Sequence, residues 1–143
     1  METPFDVLVA EDSPSYRYVL EREIRRHPRL RLVRWTDDGS DAAALVCELQ
    51  PDLAVVDLHL PGRDGLDVAH AVQAARPAPR TTLVLLTTSP TAALERGAHR
   101  AGFACCLSKD RSPAEIVAAL ARLAEGARER RFARAPDPTR PPA

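Results

Sequence analysis

A chain of 143 residues in which 20 basic side chains balance 20 acidic ones can bury one core and carries no global field favouring nucleic acid or an anionic membrane. Its acidic start, METPFDVLVAED, has an apolar run too short for a secretory signal, and nothing later approaches a membrane span. A single cytoplasmic domain without membrane attachment is the expectation.

In chain order, FDVLVA (5–10) is a short apolar run that predicts a strand, and SPSYRYVLEREIRRH from Ser13 predicts a helix with serine at N-cap and proline at N1. LRLVRW (30–35) alternates as an edge strand would, and SDAAALVCELQ brings Ala42, Leu45, Val46 and Leu49 into helical register. LAVVDL (53–58) is continuously apolar, as a strand covered on both faces tends to be, and ends in Asp57 before the Pro61-Gly62 turn. DGLDVAHAVQAA then aligns Leu66, Ala69 and Val72 on one helical face. TLVLLT (82–87) predicts a fourth strand, followed by SPTAALERGAHRA, read as a helix with Ser89 at N-cap and Pro90 at N1. FACCL (103–107) predicts the fifth strand. SPAEIVAALARLAEG from Ser112 completes the series with a capping box through Glu115 and an apolar face of Ile116, Leu120, Leu123 and Ala124.

Strand and helix alternating five times imply right-handed crossovers and a doubly wound α/β domain built on a parallel sheet. Residues 1–126 are read as that domain and 127–143 as an Arg-, Pro- and Ala-rich disordered tail. The tail's arginines offer weak contact with nucleic acid or an acidic partner, but a solvated tail is the expectation. Cys47, Cys105 and Cys106 are odd in number, lack zinc-site spacing and fall in apolar segments, so reduced core thiols are expected.

Ligands of an open parallel sheet bind beyond the carboxyl ends of its strands. There the strand ends supply Glu11 and Asp12, Asp57, Thr87 and Thr88, and Lys109. Each residue type is common singly at a strand end; jointly they form a complementary set. Three carboxylates on one rim repel unless a cation compensates, and oxygen-only donors suit Mg²⁺. Asp57 could then accept a phosphoryl group, with Glu11 and Asp12 on the metal, the Thr87 hydroxyl on a phosphoryl oxygen and Lys109 paired with phosphoryl charge.

The blocks VLVAED (7–12), VVDLHLPGRDGLDV (55–68), LVLLTT (83–88) and CLSKD (106–110) resemble, in order and approximate spacing, the receiver domains of two-component response regulators. The resemblance covers about Phe5 to Glu125. It implies a flavodoxin-like five-stranded parallel sheet in the order 2-1-3-4-5, with Asp57 as phosphoacceptor, Asp12, the His59 backbone carbonyl and, directly or through water, Glu11 joining Asp57 as Mg²⁺ ligands, and Thr87 and Lys109 as switch hydroxyl and phosphate-pairing lysine. A sensor histidine kinase or phosphotransfer protein is the implied donor. A downstream protein partner on the helix 4, strand 5 and helix 5 face is the implied output, together with phosphorylation-linked homodimerisation. The resemblance also implies that no external substrate is turned over and that the domain catalyses only its own phosphorylation and dephosphorylation. KD followed by SPAEIVAAL looks most like receivers joined to a helix-turn-helix domain. A stand-alone receiver is expected over a fragment, and direct DNA binding is not expected without an effector domain.

Three departures bear on behaviour. Cys106 occupies the place, three residues before the lysine, where many receivers carry the Tyr or Phe of the switch. Phe103 lies an odd offset away, on the opposite sheet face if the strand is regular. Thr88 stands where smaller residues are frequent and would narrow access for a phosphodonor, while His59 and Ser89 hold positions that tend to govern hydrolytic water. The missing aromatic keeps open an alternative, a phosphorylation-independent receiver acting as a binding or dimerisation module. A haloacid-dehalogenase-like phosphatase is disfavoured because its nucleophile follows strand one in a D-x-D motif, and flavin binding because EDSPSYR offers carboxylates where a phosphate loop needs backbone donors.

Overall fold

The computed structural model describes residues 3–134 and 139. Five strands, β1 (Phe5–Ala10), β2 (Leu30–Thr36), β3 (Leu53–Asp57), β4 (Thr82–Thr87) and β5 (Phe103–Ser108), alternate with five helices, α1 (Pro14–Arg26), α2 (Gly39–Leu49), α3 (Gly65–Ala74), α4 (Ala92–Ala101) and α5 (Pro113–Arg134). All strand pairs are parallel, and the sheet order is β2-β1-β3-β4-β5. This is the expected flavodoxin-like, doubly wound sheet.

Two apolar cores lie on the two sides of the sheet because strand side chains alternate. On one side Phe5, Val7, Val9, Leu53, Val55, Val84 and Leu86 pack with Leu20 and Ile24 of α1 and with Ile116, Leu120 and Ala124 of α5. On the other, Leu8, Ala10, Ala54, Val56, Leu83 and Leu85 meet small residues of α2, α3 and α4, among them Ala42, Ala69, Ala98 and Ala101. The continuous apolar character of β1, β3 and β4 thus reflects two covered faces. Among the described residues no helix is long and apolar enough to cross a membrane.

Helix caps follow the sequence at α1, where the Ser13 hydroxyl accepts from Tyr16 N with Pro14 at the helix start, and at α5, where Ser112 Oγ accepts from Glu115 N at 3.2 Å. The α4 start differs from expectation. Its N-cap is Thr91, whose Oγ1 accepts from Leu94 N at 3.1 Å, and the helix begins at Ala92 rather than Pro90. The reason is local competition: Ser89 N is turned back onto Thr87 Oγ1 at 3.3 Å, which commits Ser89 to a turn with the end of β4. Pro90 is left in an exposed linker.

Strand β5 is not regular. Its register against β4 shifts between Leu83↔Phe103 and Val84↔Cys105, so Ala104 is an extra residue. The bulge reverses the expected facing of Phe103, which packs with Cys106, Ala98 and Ala101 beneath α4, whereas Cys105 and Leu107 face the α1 and α5 side. A similar shift between Val7 and Leu8 interrupts the alternation of β2, leaving Trp35 44% exposed under the Arg17 guanidinium, 3.8 Å from the ring centroid. The three cysteines are free, as expected, but half-buried rather than core.

Helix α5 also departs from the sequence reading, continuing through Arg134 into the segment expected to be disordered. Ala127 is buried, Arg128 lies 3.8 Å over the Phe5 ring and donates to Thr3 O at 3.0 Å, and Arg131 approaches Asp52 at 3.6 Å. The packing is made by alanine and by arginine stems, which carry no conventional apolar signal. The rest of the expected tail, apart from Thr139, lies outside the described residues.

Candidate functional site

The site is assembled at the carboxyl edge of the sheet by the ends of β1, β3, β4 and β5. Glu11 follows β1, is fully buried, and is tied to the neighbouring strand by its N–H to Thr36 O at 3.0 Å. Asp12 beside it is exposed. Asp57 closes β3 and Thr87 closes β4, each only 4% exposed. Lys109 lies just beyond β5, and its N–H donates to Thr87 O at 2.8 Å.

The turn after Asp57 depends on two glycines. Gly62 has φ +81°, a left-handed backbone that disfavours side chains, and a Cβ there would stand 3.0 Å from Asp38 Oδ2. Gly65, whose N–H donates to Leu58 O at 2.8 Å, would place a Cβ 2.8 Å from the Asp57 carbonyl oxygen. The α3 start can therefore approach Asp57 closely only without a side chain. Asp64 caps that helix by accepting from Asp67 N at 2.8 Å.

Ligand oxygens of Glu11, Asp12 and Asp57 all lie within 4.8 Å of one another. The Lys109 ammonium balances them: Nζ is 2.8 Å from Glu11 Oε2, 3.0 Å from Glu11 Oε1 and 3.3 Å from Asp57 Oδ1. Ser13 N donates to Glu11 Oε1 at 3.1 Å and His59 N to Asp57 Oδ1 at 3.3 Å. Burial still pushes the Glu11 carboxyl above its usual range; the Lys109 hydrogen bond opposes this and the nearby Asp57 charge adds to it.

The residues present fit a hard divalent cation. The three side chains offer only oxygen, the donor type that Mg²⁺ or Ca²⁺ prefers. Glu11 Oε2 already pairs with the Lys109 ammonium at 2.8 Å, so a cation bound there would share that carboxylate with Lys109.

Thr87 Oγ1 accepts from Ser89 N, while Thr88, Ser89 and His59 are exposed around the rim. Cys106 faces a recess of about 280 Å³ beside α4, lined with Glu95, Ala98, His99, Phe103 and Cys105. The sequence reading missed Tyr16, whose ring centroid lies 4.7 Å from Lys109 Nζ. It also missed Arg17, whose Nη1 donates to Glu11 O at 3.1 Å. The only sequence signal for either is its place in the first turn of the helix that follows the acidic pair.

The class the fold and site define is a flavodoxin-like parallel α/β domain that gathers buried acids, a hydroxyl and an ammonium at the carboxyl edge of its sheet. Residues 7–121 match the response regulator receiver domain, and the chain belongs to that family. It is 35% identical over 123 residues to the probable transcriptional regulatory protein NarL of Mycobacterium tuberculosis, covering 84% of this chain and 55% of that protein. It is 33% identical over 115 residues to protein-glutamate methylesterase/protein-glutamine glutaminase 2 of Anaeromyxobacter dehalogenans, covering 80% of this chain and 33% of that protein. The chain thus spans about half or less of these relatives' lengths. Among solved structures, the signal receiver domain of the putative response regulator NarL from M. tuberculosis superposes with a TM-score of 0.81 at 32% identity, covering 87% of this chain and 99% of that one. The response regulator domain of Thermotoga maritima CheB does so with a TM-score of 0.70 at 26% identity, covering 88% and 95%.

Proposed function

We propose that Asp57 accepts a phosphoryl group from a histidine kinase or a phosphotransfer protein in the cytoplasm, in a Mg²⁺-dependent step, and that the modified domain presents an altered protein-binding surface. The observation that carries this reading is the placement of the buried Asp57 carboxylate 3.3 Å from the single ammonium of the site, within the three-carboxylate cluster. An Asp57 carboxylate oxygen forms the new P–O bond while the bond from phosphorus to the donor's nitrogen or oxygen breaks, and the leaving group takes up a proton. Glu11, Asp12, Asp57 and the His59 carbonyl would hold the metal, which when bound supplies charge neutralisation between the acceptor and the incoming phosphoryl oxygens. Lys109 pairs with the transferred charge, and Thr87, freed from Ser89 N, donates its hydroxyl to a phosphoryl oxygen.

Lys109 N and Thr87 O share a hydrogen bond, so recruitment of either residue moves the ends of β4 and β5 together and re-aims the loop leading to α4. The output is a shifted equilibrium of the α4, β5 and α5 face toward a downstream protein or a second copy of the chain. The domain acts on no external substrate. Incubation of the purified chain with Mg²⁺ and a small phosphodonor is expected to add one phosphoryl group by intact mass, and none to Asp57→Asn. Equal labelling of that variant overturns the assignment.

A second reading, a binding module that does not respond to phosphorylation, is favoured by Cys106 at the aromatic position and by Phe103 being only 2% exposed beneath α4. It requires that neither Mg²⁺ nor phosphodonor alter the protein's oligomeric mass or partner affinity. Analytical ultracentrifugation with and without both separates the two.

A further inference from the structure

Lys109 is the only lysine in a chain whose other basic residues, apart from histidines, are arginines. The site therefore uses a compact ammonium where the remainder of the surface uses planar guanidinium groups. Only 14% of its side chain is exposed, and its flexible stem must be held in one arrangement for Nζ to serve Asp57. Two of its partners, Glu11 and Asp57, are the groups assigned above to the metal and the phosphoryl group. The third is the face of Tyr16, 4.7 Å from Nζ, which neither of those ligands claims.

Tyr16 is itself rigidly placed. Its N–H is bound by the Ser13 cap, and its ring packs against the core that contains Leu107, Ile116 and Leu120. Its phenol oxygen is buried and makes no hydrogen bond, so the ring is not oriented by its hydroxyl. Burial first, then the charges of Glu11 and Asp57, push its ionisation up to about 12, which keeps the ring neutral at any physiological pH.

We propose that Tyr16 is a positioning residue for Lys109, its ring forming an aromatic wall that holds the ammonium beside Asp57. A cation over a desolvated aromatic face is attracted by the ring quadrupole. The attraction is independent of the hydroxyl, so phenylalanine fulfils the role and an aliphatic residue of similar volume does not. The use of this positioning in phosphoryl transfer rests on the function proposed above; the positioning itself does not.

The test reads the lysine directly in the metal-free full chain. A limiting acetylating ester is added with a free lysine derivative as reference amine, and acetylation of Lys109 is followed by peptide mass spectrometry. Wild type and Tyr16→Phe are expected to label equally slowly. Tyr16→Leu and Tyr16→Met are expected to label Lys109 about 2- to 5-fold faster, with thermal unfolding recorded to confirm that each variant is folded at the assay temperature. Unchanged labelling in both aliphatic variants, or labelling of Tyr16→Phe as fast as theirs, overturns the proposal. In a second arm with Mg²⁺ and a small phosphodonor, the aliphatic variants phosphorylate Asp57 more slowly by a similar factor, while Tyr16→Phe keeps the wild-type rate. Absence of phosphorylation in every variant, with the labelling pattern as expected, removes the phosphoryl-transfer reading and leaves the positioning supported.

Discussion

The backbone N–H of Lys109 donates to the carbonyl of Thr87 at 2.8 Å, so the two residues assigned to a phosphoryl group are already joined before one arrives. The Thr87 hydroxyl is turned to Ser89 N and the Lys109 ammonium to Glu11 and Asp57. The resting site is thus paired internally, and each pairing names a perturbation.

Replacing Lys109 by methionine strands Glu11, fully buried, beside Asp57 without a counter-charge. Breaking a buried pair from one side costs about 3 kcal/mol. Lys109→Met is expected to lower the urea midpoint of the metal-free protein by a corresponding amount. Because a divalent cation would serve the same carboxylates, Mg²⁺ should stabilise Lys109→Met more than wild type. Equal stabilisation of the two argues against a shared site.

Glu11 has a carboxyl raised above its unfolded value of 4.5. Its proton is held more tightly in the folded chain, so the associated stability is fully present below pH 4.5 and is lost as pH rises through the raised value. Other carboxylates contribute their own slopes, so the informative quantity is the difference between wild type and Glu11→Gln. In metal-free buffer that difference should fall as pH increases above 4.5. A difference that is flat or rises contradicts the burial argument.

Cys105 and Cys106 differ in what surrounds them. Burial raises both thiols, the neighbouring Cys106 adding to the rise at Cys105 while Arg111 opposes it. At Cys106 the Glu95 carboxylate adds to burial. Less thiolate means slower alkylation at a given pH. Glu95→Gln should speed iodoacetamide modification of Cys106 near pH 8 by about 2-fold and leave Cys105 nearly unchanged, as read by peptide mass spectrometry.

Truncation after Gly126 removes the last turns of α5, including the Arg128 stack on Phe5 and the Arg131 approach to Asp52. The expected loss is about 1 to 2 kcal/mol in chemical unfolding. These contacts lie at the amino edge of the sheet, the end opposite Asp57. Phosphorylation of Asp57 by a small donor should therefore proceed at the wild-type rate at a temperature where the truncated chain is folded.

The order of the elements and the identities at the strand ends were legible because they follow from periodicity and from where parallel strands deliver side chains. Glu11, Asp57, Thr87 and Lys109 each stand at or just beyond a strand end. Tyr16 was not legible, since only the spatial approach of the first turn of α1 to Lys109 reveals it. The α4 cap was read at Ser89 from the Ser-Pro pair; the cap is Thr91, and Ser89 is instead drawn into a turn by Thr87. The extension of α5 rests on Ala127 and arginine stems, whose packing no hydropathy pattern announces. The facing of Phe103 was misread because parity along a strand holds only until a bulge inserts an unpaired residue.

That inserted residue, Ala104, sets where Phe103 meets α4. Phe103 reaches the α4 side at the beginning of β5, roughly 20 Å of extended chain from Lys109, and packs with Ala98 and Ala101 at the far end of the helix. Near the crevice the corresponding place holds only the small Cys106, and the first residues of α4, Ala92 and Ala93, are exposed. The helix is thus seated on the sheet at its far end by Ala98 and Ala101 over Phe103, and in its first turn by the partly buried Leu94.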